Sequence, residues 1–107
     1  MKDNKVYINQ ILDSVAKIES FVIGMSEKQF KSDVKTQSAV IMQLTLIGEI
    51  SKKISPEIKA RVSLPWKDIA GFRDRAIHNY FEIDIDIVWN TLAADLPILK
   101  KEIQKEV

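Results

Sequence analysis

Asp33-Val34-Lys35-Thr36-Gln37-Ser38-Ala39-Val40-Ile41-Met42-Gln43-Leu44-Thr45-Leu46-Ile47-Gly48-Glu49-Ile50-Ser51-Lys52-Lys53-Ile54 is the stretch on which the fold turns. Its apolar residues form two stripes at helical spacing. Val40, Ile41, Leu44, Ile47 and Ile54 make the first; Ala39, Met42, Leu46 and Ile50 make the second. So wide an apolar surface exceeds what one face of a small bundle needs. The helix is therefore either the central element or the bearer of a second face for another subunit. Asp33 is its expected N-cap. Gly48, which costs roughly 1 kcal/mol against alanine inside a helix, marks a point of close helix approach.

Working outward, Ile8, Ile11, Val15, Ile18, Val22 and Met25 form one stripe of a preceding helix of about five turns. Gly24 lies near its end. Ser26-Glu27-Lys28-Gln29 reads as a capping box opening a short turn that contains Phe30. Downstream, Ser55-Pro56 restarts the chain with an N-cap serine and an N1 proline. Leu64-Pro65-Trp66 interrupts it again, and Trp66, Ile69, Ala70, Phe72, Ala76 and Ile77 then continue helically. A turn is expected between Tyr80 and Asp84. Asp84 should cap a last helix bearing Ile85, Val88, Leu92, Leu96, Leu99 and Ile103, with a kink at Pro97. No strand-like alternation of useful length remains. The expectation is one all-α domain over 1–107, an antiparallel helical bundle of three long helices plus short ones. Trp66 and Trp89 read as core or interface anchors rather than base-stacking platforms.

The chain has 107 residues, no cysteine and one histidine. That excludes disulfides, thiolate catalysis and any multi-histidine metal site within one subunit, so no metal or cofactor is expected. Met1-Lys2-Asp3-Asn4-Lys5 leads into an amphipathic segment rather than a signal peptide, and no apolar window suits a membrane span, so a cytoplasmic protein is expected. The net charge of +1 is unevenly spread. Residues 59–75 carry five bases against two acids, and residues 76–107 carry three against six. The positive excess attracts anions locally, though a run of this size is most often a solvated surface.

That excess runs into Arg73-Asp74-Arg75-Ala76-Ile77-His78-Asn79-Tyr80. If the helix runs through it, Arg73 and Tyr80 share a face, about 10 Å apart along the axis. Asp74 lies one turn before His78, at the spacing that lets a carboxylate orient an imidazole. Histidine for proton transfer, arginine for phosphate charge and tyrosine as a further donor suit attack of a ribose hydroxyl on its neighbouring phosphodiester without a metal. Acid and base would ordinarily be two groups, and a symmetric dimer bringing two copies to one cleft would supply both. On spacing alone the commoner reading is a helix-end salt-bridge cluster. Glu49, on the central helix, is a candidate partner for Arg73 or Arg75, or an ordinary surface glutamate.

Arg73-x-x-x-x-His78-x-Tyr80 resembles the signature of the HepT-like family of HEPN-domain ribonucleases. Its flanks do too: Ile47-Gly48-Glu49 and Pro65 to Phe72 before it, then Tyr80-Phe81-x-x-Asp84-x-Asp86-x-Val88-Trp89 and Asp95-Leu96-Pro97 after it. The resemblance covers roughly residues 40–107. It implies a dimeric HEPN bundle with motifs from both subunits in one cleft, and a metal-independent endoribonuclease. It further implies a toxin paired with a nucleotidyltransferase antitoxin of the MntA type, which silences it by moving AMP to the motif tyrosine, here Tyr80. Arg73, His78 and Tyr80 would then be catalytic; the histidine-orienting role of Asp74 comes from helical spacing, and Arg75 and Lys67 are the expected contacts to RNA, whether tRNA or mRNA. The alternative is a HEPN module that no longer cleaves and only binds and regulates the nucleotidyltransferase.

Overall fold

The computed structural model describes residues 3–107; Met1 and Lys2, the head of the segment read as the lead-in to the first helix, lie outside the described residues. Seven α-helices follow in order: α1 (Asn4–Val22), α2 (Glu27–Lys31), α3 (Val34–Ser51), α4 (Pro56–Arg61), α5 (Trp66–His78), α6 (Ile85–Asn90) and α7 (Leu96–Gln104). A 3-10 turn, Tyr80–Glu82, separates α5 from α6, and a π turn, Thr91–Asp95, joins α6 to α7 in one continuous arm. There is no strand among the described residues, and no described helix is long and apolar enough to cross a membrane. The fold is the all-α bundle expected of a HEPN domain.

The breaks fall where local chemistry puts them. The Ser26 hydroxyl accepts from the Gln29 amide while the Gln29 side chain accepts from the Ser26 amide, so the expected capping box is formed. Gly24 takes φ 71°, a left-handed conformation that lets the chain leave α1 without strain. Asp33 caps α3 through the Thr36 amide and hydroxyl, and these two hydrogen bonds hold its carboxyl below the usual carboxylate range. Ser55 caps α4 ahead of Pro56.

Ile8, Ile11, Val15 and Ile18 of α1 close on Val40, Ile41, Leu44 and Ile47 of α3, with Leu96, Leu99 and Ile103 of α7 completing the core. Fully burying one such side chain contributes about 1.5–3 kcal/mol, so this three-helix contact dominates the fold's stability. Asn4 and Ser55 exchange two hydrogen bonds, which fixes α1 antiparallel to α3. Phe30 and Trp89 stack with centroids 5.2 Å apart, and buried Gln37 donates to the carbonyls of Phe30 and Lys31, so α2 locks α3 to α6. Trp66 donates its indole N–H to the Val62 carbonyl and packs against the core. Both tryptophans are anchors.

The last arm adjusts one turn before the expected place. Val88, Leu92 and Leu96 are all buried at successive spacings of four. Two such steps overshoot an α-helix by about 80°, which would swing Leu96 away from the core. The π turn absorbs the excess: the Leu96 amide donates to the Thr91 carbonyl, five residues back. Pro97, which has no N–H to give Ala93, follows directly.

Candidate functional site

α5 runs antiparallel to α3. Gly48 meets Ile69 and Arg73, and the Tyr80 hydroxyl, just past the end of α5, lies 3.4 Å from the Ser38 hydroxyl. The approach at Gly48 is close. A Cβ placed there would stand 2.7 Å from the Arg73 Cβ and 2.8 Å from the Ile69 carbonyl oxygen. Glycine is at this position because nothing larger fits, as the sequence suggested.

That contact delivers Glu49 to Arg73. Glu49 Oε2 stands 2.7 Å from Arg73 Nε. Both atoms are shut off from solvent, and the N–H is not aligned on the oxygen, so this is an ion pair without a formal hydrogen bond. Arg73 Nη1 donates to Asp74 Oδ1 at 3.1 Å, and Lys52 Nζ donates to the same oxygen at 2.8 Å. The hydrogen bond from Lys52, then that from Arg73, holds the Asp74 carboxyl below the usual carboxylate range. Four side chains from two helices thus alternate in charge: Glu49, Arg73, Asp74, Lys52.

Two expectations are corrected here. Asp74 was placed to orient His78, but its carboxylate is engaged by Lys52 and Arg73 and makes no hydrogen bond to His78. A cation 22 residues away outcompetes a neighbour one turn along. Tyr80 does not share a helical face with Arg73, because α5 ends at His78. Asn79 leaves the helix at φ −139°, and its carbonyl accepts from the Glu82 amide to start the 3-10 turn. Asparagine is a weak helix former that gives way readily at such an end.

His78 is therefore the last residue of α5 and is exposed, with no side-chain hydrogen bond among the described residues. Tyr80 is 43 % exposed, and its ring meets that of Phe81 edge-on with centroids 5.8 Å apart. Phe81 is 99 % exposed. Ile77 on α5 and Met42 and Leu46 on α3 are also exposed, so part of the second stripe of α3 remains uncovered beside the motif.

Arg75 points the other way. Its guanidinium lies over the Phe72 ring at 5.9 Å and lines a mostly apolar cavity of about 340 Å³ between α3, α5 and the α6–α7 arm. Leu44, Ile47, Ile69 and Leu96 are among its walls. Lys67 is exposed near the start of α5, about three turns from His78. The structure thus puts Arg73 and Asp74 at the Gly48 crossing and His78 and Tyr80 at and beyond the C-terminal end of α5, where the Tyr80 hydroxyl meets Ser38, ten residues along α3 from Gly48; Lys67 lies near the start of α5 and Arg75 faces the cavity. Sequence reasoning had passed over Lys52 and Ser38. Both sit on α3 or its end, opposite α5, and only the antiparallel register could have found them.

The chain matches the ribonuclease HepT-like family over residues 11–106. It is 37 % identical over 105 residues to a protein of Thermococcus cleftensis named "Probable ribonuclease HepT", covering 97 % of this chain and 96 % of that one. It is 34 % identical over 106 residues to a protein of Caldanaerobacter subterraneus subsp. tengcongensis with a provisional RNase name, covering 98 % and 95 %. A longer Methanocaldococcus jannaschii protein, whose name joins gamma-glutamylcyclotransferase to a provisional RNase, is 37 % identical over 105 residues; the chain spans 47 % of it. No solved structure matches.

Proposed function

Since this chain belongs to the HepT-like ribonuclease family, we propose that it is a metal-independent endoribonuclease, the toxin of a type VII toxin–antitoxin pair with an MntA-like nucleotidyltransferase. The observation that carries the reading is the family match, which spans Arg73, His78 and Tyr80 almost from end to end of the chain. The exposure of His78 and Tyr80 and the anchoring of Arg73 on the same helix as His78 support it.

In the proposed reaction, His78 takes the proton from a ribose 2′-hydroxyl as that oxygen bonds to the adjacent phosphorus. The P–O5′ bond breaks, and the departing oxygen receives a proton from the His78 of a second copy. The products are a 2′,3′-cyclic phosphate and a 5′-hydroxyl. Arg73 offsets the charge that collects on the phosphorane oxygens. The exposed stripe through Met42 and Leu46, adjoining Ile77 and Phe81, supports a symmetric dimer that would bring the two motifs together. AMP on Tyr80 would set a negative charge and added bulk close to the motif and compete with RNA phosphate for it. A protein working on tRNA or mRNA in this way belongs in the cytoplasm.

The test is cleavage of RNA in EDTA by wild type and His78→Ala. Wild type is expected to leave 2′,3′-cyclic phosphate ends, and the variant to leave the RNA intact. Dependence on added Mg²⁺, or equal cutting by the variant, would reject the assignment. Co-expression with an MntA-like nucleotidyltransferase should raise the intact mass by adenylyl units, and Tyr80→Phe should abolish the gain. One observation favours the runner-up, a non-catalytic HEPN partner of the nucleotidyltransferase. In the single chain, Arg73 already faces two carboxylates. That reading predicts a stable complex with the nucleotidyltransferase and no cleavage from any preparation.

A further inference from the structure

We propose that Glu49 is the positioning residue for Arg73: it holds the guanidinium by its Nε edge so that Nη2 is presented to a phosphate oxygen. The second half of this statement rests on the nuclease reading above. Three contacts fix the arginine from root to tip. At the root, the Gly48 backbone lies against the Arg73 Cβ, with no room for a side chain between them. Along the stem, Glu49 Oε2 stands 2.7 Å from Nε, with both atoms shut off from water. At the tip, Asp74 takes Nη1 and is itself held by Lys52. Nη2 is the guanidinium nitrogen without a protein partner among the described residues.

The two carboxylates differ in kind. Asp74 is half-exposed and wet, so RNA phosphate can displace it. The Glu49 side chain is also 42 % exposed, but the Oε2 that meets Nε is shut off from water and built into the α3–α5 crossing, because Glu49 follows the glycine that permits the crossing. A carboxylate beside a cation also weakens the field that attracts RNA. Glu49 therefore serves geometry at some expense to binding, and its removal carries a signature: slower cleavage with RNA affinity unchanged or tighter. A purely structural role would instead lower rate and affinity together with the melting temperature.

Glu49→Gln and Glu49→Ala separate these cases. Single-turnover cleavage is measured in each variant, and RNA affinity is measured with His78→Ala added to keep the RNA whole. Exchange of the Arg73 Nε–H with water is followed by NMR without RNA. Cleavage should slow about tenfold in Glu49→Gln and about 100-fold in Glu49→Ala, the scale of loss that a misplaced group produces. The Arg73 Nε–H should exchange faster in both variants while that of Arg75 does not change. Cleavage by Glu49→Ala within about threefold of wild type would overturn the proposal, as would a joint fall of rate and affinity. Unchanged Arg73 exchange would do the same. If wild type cuts no RNA, the nuclease reading fails by itself, and the exchange comparison still decides whether Glu49 holds Arg73.

Discussion

α1 and α5 are both amphipathic helices packed on α3, yet they are held by different means. α1 buries Ile8, Ile11, Val15 and Ile18, whereas α5 fully buries Ala76 alone. On α1 the contact with α3 is a run of branched aliphatic side chains. On α5 it is a glycine, an alanine and a chain of charges, with partly buried Ile69 and Phe72 beside a cavity. The first arrangement supplies stability. The second sets polar groups at defined places with little apolar burial of its own.

The comparison is sharpest where stability and activity part company. His78→Ala should cut the cleavage rate by about 10³-fold, equivalent to about 4 kcal/mol of transition-state stabilisation. As an exposed residue at a helix end, it should leave unfolding by urea within about 0.5 kcal/mol of wild type. Ile18→Ala is the converse, costing about 3 kcal/mol in the same denaturation and leaving the activity of the folded protein intact. A loss under about 1 kcal/mol would mean that α1 is not the anchor described.

Gly48→Ala joins the two properties. Its methyl would meet backbone and Cβ atoms that cannot swing away, so α5 must shift on α3. Overpacking of about 1–3 kcal/mol should exceed the roughly 1 kcal/mol gained in helix propensity, leaving the variant modestly destabilised. Its cleavage should fall by more than its stability explains, and a more stable, fully active variant would contradict the close approach. The smallest effect is that of pH. Asp74 titrates below an unfolded aspartate because Lys52 and Arg73 favour its charged form. Its contribution is fully present above the unfolded pKa and is lost as pH falls through the lower folded one. Carboxyl NMR should show Asp74 taking up its proton at a lower pH in wild type than in Lys52→Met, which removes the larger of the two hydrogen bonds that favour its charged form.

Most of the fold could be read from the chain because local signals and burial agree. Ser26 with Gln29, Asp33, Ser55 with Pro56, and Asp84 each start a helix where their side chains can satisfy free amides. Gly48 was legible for the same reason, as an unfavourable residue that needs a packing partner. The candidate residues could be named from the chain, but their connections could not. Glu49 was visible as a possible partner of Arg73, but burial decided between pairing and solvation. Asp74 misled because helical spacing offers His78 while the tertiary fold offers Lys52, whose ammonium takes the carboxylate. Tyr80 misled because a seven-residue interval carries no sign of the helix ending at His78.

The π turn also has a consequence for how this chain can change length. A π turn is one residue more than an α-helix needs, so removing a residue from Thr91–Asp95 would keep Leu99 and Ile103 in phase with the core while restoring a regular ladder. Pro97 would then press its ring against a carbonyl four residues back, which a regular helix cannot relieve. The extra residue and the proline are thus a linked pair. Deletion within this turn is tolerable only together with replacement of Pro97, and the α6–α7 arm can be shortened by two coupled changes but not by either alone.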